Sequence, residues 1–131
     1  MAQTYIVGDI VMYKNRIHTI IDTLGLNNYE LSYIRHRVNR AELSGVPLTP
    51  EILEKNGWKL HKHHKRDSYD DVSWSSYHKP AETNISLIFY PEEKAFFLFL
   101  YAEEISETPI RYIHQLQHLL FGLGLKQEME V

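Results

Sequence analysis

Apolar residues fall in short runs separated by turn formers, and most runs alternate with a period of two rather than 3.6. Residues 8–13 open with Gly8 and are β-prone. Asn15 and Arg16 interrupt them before a second run over 17–23, which predicts a hairpin. Gly25 and the Asn27-Asn28 pair tolerate left-handed backbone and mark a turn before a third run at 29–34. Residues 35–43 are compatible with a further strand. Strands this short, joined by tight turns, suggest a small curled antiparallel sheet of SH3-like kind.

The pattern changes at Ser44-Gly45-Val46-Pro47. Thr49 suits a helix N-cap, Pro50 the first helical position, Glu51 and Glu54 the positive end of the helix dipole, and Asn56-Gly57 the stop, so a short helix is predicted over 50–56. In residues 58–65 Trp58, Leu60 and Lys62 alternate with Lys59, His61 and His63, as on an edge strand whose charges discourage further pairing. Residues 67–71 read as polar loop and 72–78 as a strand. Residues 80–83 break the pattern before the strongest hairpin, 85–90 and 94–101, which turns at Pro91-Glu92-Glu93. Phe97, Phe99 and Tyr101 lie on one side of its second strand and Phe96, Leu98 and Leu100 on the other, so both faces call for cover. Thr108 and Pro109 then start a predicted helix over 109–121, with Ile110, Ile113, Leu116 and Leu120 at helical spacing and the sheet of 84–101 beneath it.

Together these elements describe one α+β domain over residues 1–131. It comprises a β-rich N-terminal unit (1–46), followed by a short helix, an antiparallel sheet and a C-terminal amphipathic helix (47–131). A length of 131 residues suffices for a core without metal or disulfide staples. The absence of cysteine removes thiolate nucleophiles, iron–sulfur clusters and cysteine-ligated zinc. The first residues lack the basic and apolar regions of a secretory signal, and the longest apolar run, 95–102, is far too short to span a membrane. The expected setting is therefore the cytoplasm, with no membrane partner.

Residues 46–58, reading Val-Pro-Leu-Thr-Pro-Glu-Ile-Leu-Glu-Lys-Asn-Gly-Trp, and residues 110–119, reading Ile-Arg-Tyr-Ile-His-Gln-Leu-Gln-His-Leu, carry a resemblance. The chain resembles, along essentially its whole length, a group of small uncharacterised proteins encoded by Bacteroidetes bacteria and their phages or mobile elements. Trp58 stands where that group has a phenylalanine. The resemblance implies an origin and no mechanism, and it brings no functional residues with it.

Charge is divided unevenly. Residues 1–66 hold 10 Lys/Arg against 6 Asp/Glu, whereas 67–131 hold 4 against 11. Such a split suits either an anionic partner for the basic half or mutual attraction within the fold. The basic residues cluster in two segments, Arg35, His36, Arg37 and Arg40, and Lys59, Lys62, Lys65 and Arg66 with His61, His63 and His64. Neighbouring cations disfavour a metal ion there and favour phosphates, with Trp58, Tyr69 or Trp74 as candidates for base stacking. The bland alternative is a solvated charged edge. His114 and His118 share a helical face at a spacing of four, but position 115 is Gln, so the zinc-hydrolase HExxH pattern is not met. Arg111, His114, Gln115 and His118 are expected to form the polar face of the last helix. No phosphate-binding glycine loop, nucleophile elbow or acidic cation loop is found, and Asp67, Asp70 and Asp71 with His78 read as loop rather than acid–base machinery. The expectation is a non-enzymatic accessory protein, without cofactor, that binds nucleic acid through a basic edge. A protein-binding adaptor is one alternative and a histidine-based metal protein or enzyme the other.

Overall fold

The computed structural model describes residues 5–69, 71–80 and 82–131. Asp70 and Ala81, which fall in the expected acidic loop and strand break, lie outside them. Helices α1 (Pro50–Lys55) and α2 (Ile113–Gly122) accompany two antiparallel five-stranded sheets, an α+β architecture. The chain divides into two compact units: Met1–Pro47 with Tyr112–Met129, and Leu48–Arg111 with Glu130–Val131.

The first unit holds β1 (Ile10–Tyr13), β2 (Arg16–Leu24), β3 (Asn28–Leu31), β4 (Val38–Asn39) and β5 (Ser44–Gly45), in the order β4-β3-β2-β1-β5. Lys14 and Asn15 turn β1 into β2 with φ of 48° and 63°. Paired left-handed residues of this kind match the twist of a two-residue hairpin. A bulge between Ile20 and Asp22 lets the long β2 serve both β1 and β3. Between β4 and β5 runs a 3-10 turn, Arg40–Glu42, capped by the Asn39 side chain. This meander, returning its fifth strand to the first, has the SH3-like order suggested by the turn spacing. Where the sequence allows one strand over 35–43, only Val38 and Asn39 pair. The segment called a breaker supplies β5, because Met12 and Val11 of β1 offer Ser44 and Gly45 an edge. Tyr5, Val11, Tyr13, Ile20, Tyr29, Leu31 and Val38 form the core of this unit, with Ile34 and Leu43 against it.

Helix α2 belongs to this first unit, not to the sheet of residues 84–101 where sequence reasoning placed it. Its start also differs. Ile110 exchanges two 2.8 Å backbone hydrogen bonds with Phe96, so the segment following Pro109 is extended rather than helical. Tyr112 is the N-cap, and its N–H donates to Gln115 Oε1 at 3.0 Å.

In the second unit β6 (Lys59–His64), β7 (Trp74–Lys79), β8 (Glu82–Tyr90), β9 (Ala95–Leu100) and β10 (Glu103–Glu104) form a sheet ordered β10-β9-β8-β7-β6. The strong hairpin is central, as expected, and β6 is an edge. Helix α1 begins with Thr49 Oγ1 accepting the Ile52 N–H at 3.3 Å and ends at Asn56, followed by Gly57 at φ +89°. Leu53, Trp58, Tyr77, Ile85, Leu87, Phe96, Leu98 and Ile110 are buried in this unit.

Candidate functional site

Strand β6 has only β7 beside it, and residues 59–63 are all exposed. A simple alternation would put Lys59 and Lys62 on opposite faces. The ladder prevents this: a bulge between Leu60 and Lys62 shifts the register, so that Lys59 stands opposite His78, Lys62 opposite Ser76 and His64 opposite Trp74. Since His78, Ser76 and Trp74 alternate on one face of β7, the bulge brings Lys59, Lys62 and His64 to that same face. His64 stacks on Trp74 with ring centroids 5.6 Å apart, and His61 meets His78 edge-on at 5.1 Å.

The same face continues across the sheet through Ser76, Ile88 and Phe97 in one row and His78, Ser86 and Phe99 in the next. All six are partly exposed, as is Trp74, whereas Ser75, Tyr77, Ile85, Leu87, Phe96 and Leu98 on the opposite face are buried. Tyr90 packs its ring edge-on to Phe97 at 5.6 Å. The sheet thus has one core face and one half-open face of aromatic residues. Cationic side chains border that open face at β6, and Glu103 and Glu104 border it at β10.

The remaining predicted residues are placed differently. Lys65 is exposed just beyond β6. Arg66 is engaged, pairing with Glu92 and donating from Nε to the Asp71 carbonyl at 2.8 Å. Trp58, expected to be free for stacking, is only 1% exposed, with the Lys79 ammonium 5.8 Å from its ring centroid. Its large apolar surface is more stable in the core. Tyr69 is exposed. Arg35, Arg37 and Arg40 belong to the first unit, where Arg35 and Arg37 are exposed and Arg40 starts the 3-10 turn. Asp67 accepts the Tyr69 N–H at 2.8 Å, a local turn contact.

In the first unit α2 carries a second polar constellation, and His114 is not on a polar face. His114 is 2% exposed and neither ring nitrogen has a hydrogen-bond partner. It packs against the rings of Tyr5, Tyr112 and His118 at 5.1, 5.9 and 5.8 Å. Burial lowers its pKa to about 4; the negative charge of Asp9 works against this shift and His118 adds to it. Burial likewise raises the Tyr5 phenol. His118 Nε2 lies 2.7 Å from Oδ2 of the fully buried Asp9, an oxygen that also accepts the Ile6 N–H at 2.9 Å. Gln117, also buried, accepts the Ile10 N–H at 2.9 Å and donates to the carbonyls of Gly8 and Gln127 at 2.9 and 3.0 Å. Sequence reasoning missed Asp9 and Gln117 because their partners lie more than a hundred positions away. Among the described residues no three His, Asp or Glu side chains are grouped to hold a metal ion. No helix among them is long and apolar enough to cross a membrane.

Compared with known protein families, curated proteins and solved structures, the chain matches none.

Proposed function

We propose that this chain binds single-stranded nucleic acid on the half-open face of its second sheet. The supporting observation is the convergence, through one β-bulge, of Lys59, Lys62 and His64 with Trp74 on the face that also bears Ile88, Phe97 and Phe99. Phosphates are served by the ammonium groups at the β6 edge, and unpaired bases by the aromatic surface beside them. Glu103 and Glu104 at the far edge disfavour a polyanion there and so bias the strand toward β6 and β7. The role is binding rather than catalysis, and that of a cytoplasmic accessory protein of a phage or mobile element is in keeping with it.

Fluorescence anisotropy with short labelled single-stranded DNA, RNA and duplex DNA, at about 50 and 200 mM salt, tests the reading. Single strands are expected to bind more tightly than duplex, with affinity falling steeply as salt rises. The Lys59→Glu/Lys62→Glu variant is expected to lose most of this binding, and Phe97→Ala to weaken it by about 1–3 kcal/mol. If wild-type protein ignores all three probes at low salt, the proposal fails.

A further inference from the structure

The run Ser32-Tyr33-Ile34-Arg35-His36-Arg37 follows β3 in the first unit. Tyr29 and Leu31 of β3 point into the core, and continued alternation would send Tyr33 after them. Instead Tyr33 has φ of 64° and is 98% exposed, while Ile34 packs against the core. A bulky side chain at this φ is uncommon, and glycine or asparagine holds the conformation at lower cost.

The ring is presented by fixed neighbours rather than left loose. Ser32 donates its N–H to the Thr19 carbonyl at 2.9 Å, its Oγ accepts the Thr19 N–H at 3.0 Å, and its carbonyl lies 2.8 Å from His18 Nδ1. On the other side the Ile34 N–H donates to the Leu31 carbonyl at 3.3 Å. His36 Nε2 lies 3.3 Å from the hydroxyl of buried Tyr13, which ties down the residue between Arg35 and Arg37. Both arginines are exposed, and neither has a carboxylate partner among the described residues. Two residues apart, their backbones are separated by at most about 7 Å, close enough for both guanidinium groups to address neighbouring phosphates of one strand.

We infer that Tyr33, Arg35 and Arg37 form a second nucleic-acid contact, Tyr33 stacking on an unpaired base and the two arginines pairing with the phosphates beside it. The inference rests on the reading of the chain as a single-strand binder, but the residues are independent of the sheet face. Arginine is suited to both tasks, as a bidentate phosphate donor and as a flat cation that stacks. An aromatic ring held in water beside unpaired cations fits a polyanion with exposed bases.

The test uses the full chain and the same labelled single strands. Tyr33→Asn is expected to weaken binding about 5- to 100-fold while leaving the thermal midpoint at or above that of wild type, because asparagine tolerates the left-handed backbone. Arg35→Gln/Arg37→Gln is expected to lower the slope of log affinity against log salt by about 2. Loss of binding in these variants but not in Lys59→Glu/Lys62→Glu supports the loop and sinks the sheet face. Loss in the lysine variant alone, with Tyr33→Asn binding as wild type does, overturns the loop contact and leaves the sheet reading standing. Wild-type protein that binds no oligonucleotide overturns both, as a purely protein-binding role for the loop would require.

Discussion

Acidification should unfold the first unit through His114. This ring is buried and neutral, with a pKa of about 4 in the folded chain against 6.5 when exposed. Above pH 6.5 neither state binds the proton, and the group adds no pH dependence. Between 6.5 and 4 the unfolded state takes up a proton that the folded state refuses, so stability falls as pH falls. Below about pH 4 both states are protonated and the loss levels off. At 1.36 kcal/mol per unit, the full effect is about 3 kcal/mol. That is a large part of the roughly 5–15 kcal/mol that holds a domain folded. His114→Phe keeps a ring between Tyr5, Tyr112 and His118 and removes both unpartnered nitrogens, so it is expected to be at least as stable at neutral pH. Urea unfolding followed at intervals from pH 7 to 4 measures both proteins. Wild type should lose about 3 kcal/mol more than His114→Phe across this range. Parallel curves for the two proteins would refute the assignment of this sensitivity to His114.

Two further substitutions test the packing of α2. Gly45→Ala places a Cβ 2.6 Å from Tyr112 Cγ and 3.0 Å from His114 Cε1, and is expected to lower stability by about 1–3 kcal/mol, read as a lower urea midpoint. Gln117→Leu keeps an apolar stem but strands the Ile10 N–H and the Gly8 carbonyl, for a loss of about 2–4 kcal/mol in the same assay. An unchanged midpoint in either variant contradicts the contact it removes.

Elements whose signals are local were legible in the sequence. Thr49, Pro50 and Asn56-Gly57 bound a helix wherever they occur together, and the aromatic run of β9 with Pro91 before it needs little context to become a hairpin. The partner of the last helix was not legible, because Ile113, Leu116 and Leu120 specify an apolar stripe without saying which sheet receives it. Gln117 and Asp9 are what tie that stripe to the first unit, and they read as ordinary polar residues until Ile10 and His118 are beside them. The basic edge was legible as composition, but its geometry was not. One extra residue between Leu60 and Lys62 decides whether two lysines share a face, and nothing in the residue types there marks a bulge. Tyr33 was hidden for a similar reason, since its position continues the inward alternation of Tyr29 and Leu31 until a single φ reverses it.

The division of the first unit between two remote segments gives the chain an order of assembly. Residues 48–111 are synthesised after the five strands of the first unit and before α2, so all strands of the second sheet have emerged while Ile10 still awaits Gln117, 107 positions on. The usual N-terminal-first order of folding during synthesis is thereby reversed. The second unit also does work for the first. Its Leu48 N–H donates to the Arg111 carbonyl at 2.9 Å, so once it folds, the points where the chain leaves and re-enters the first unit are a hydrogen bond apart. A long loop closure then becomes the meeting of adjacent segments, and the bridge between Pro47 and Tyr112 is the first place they join.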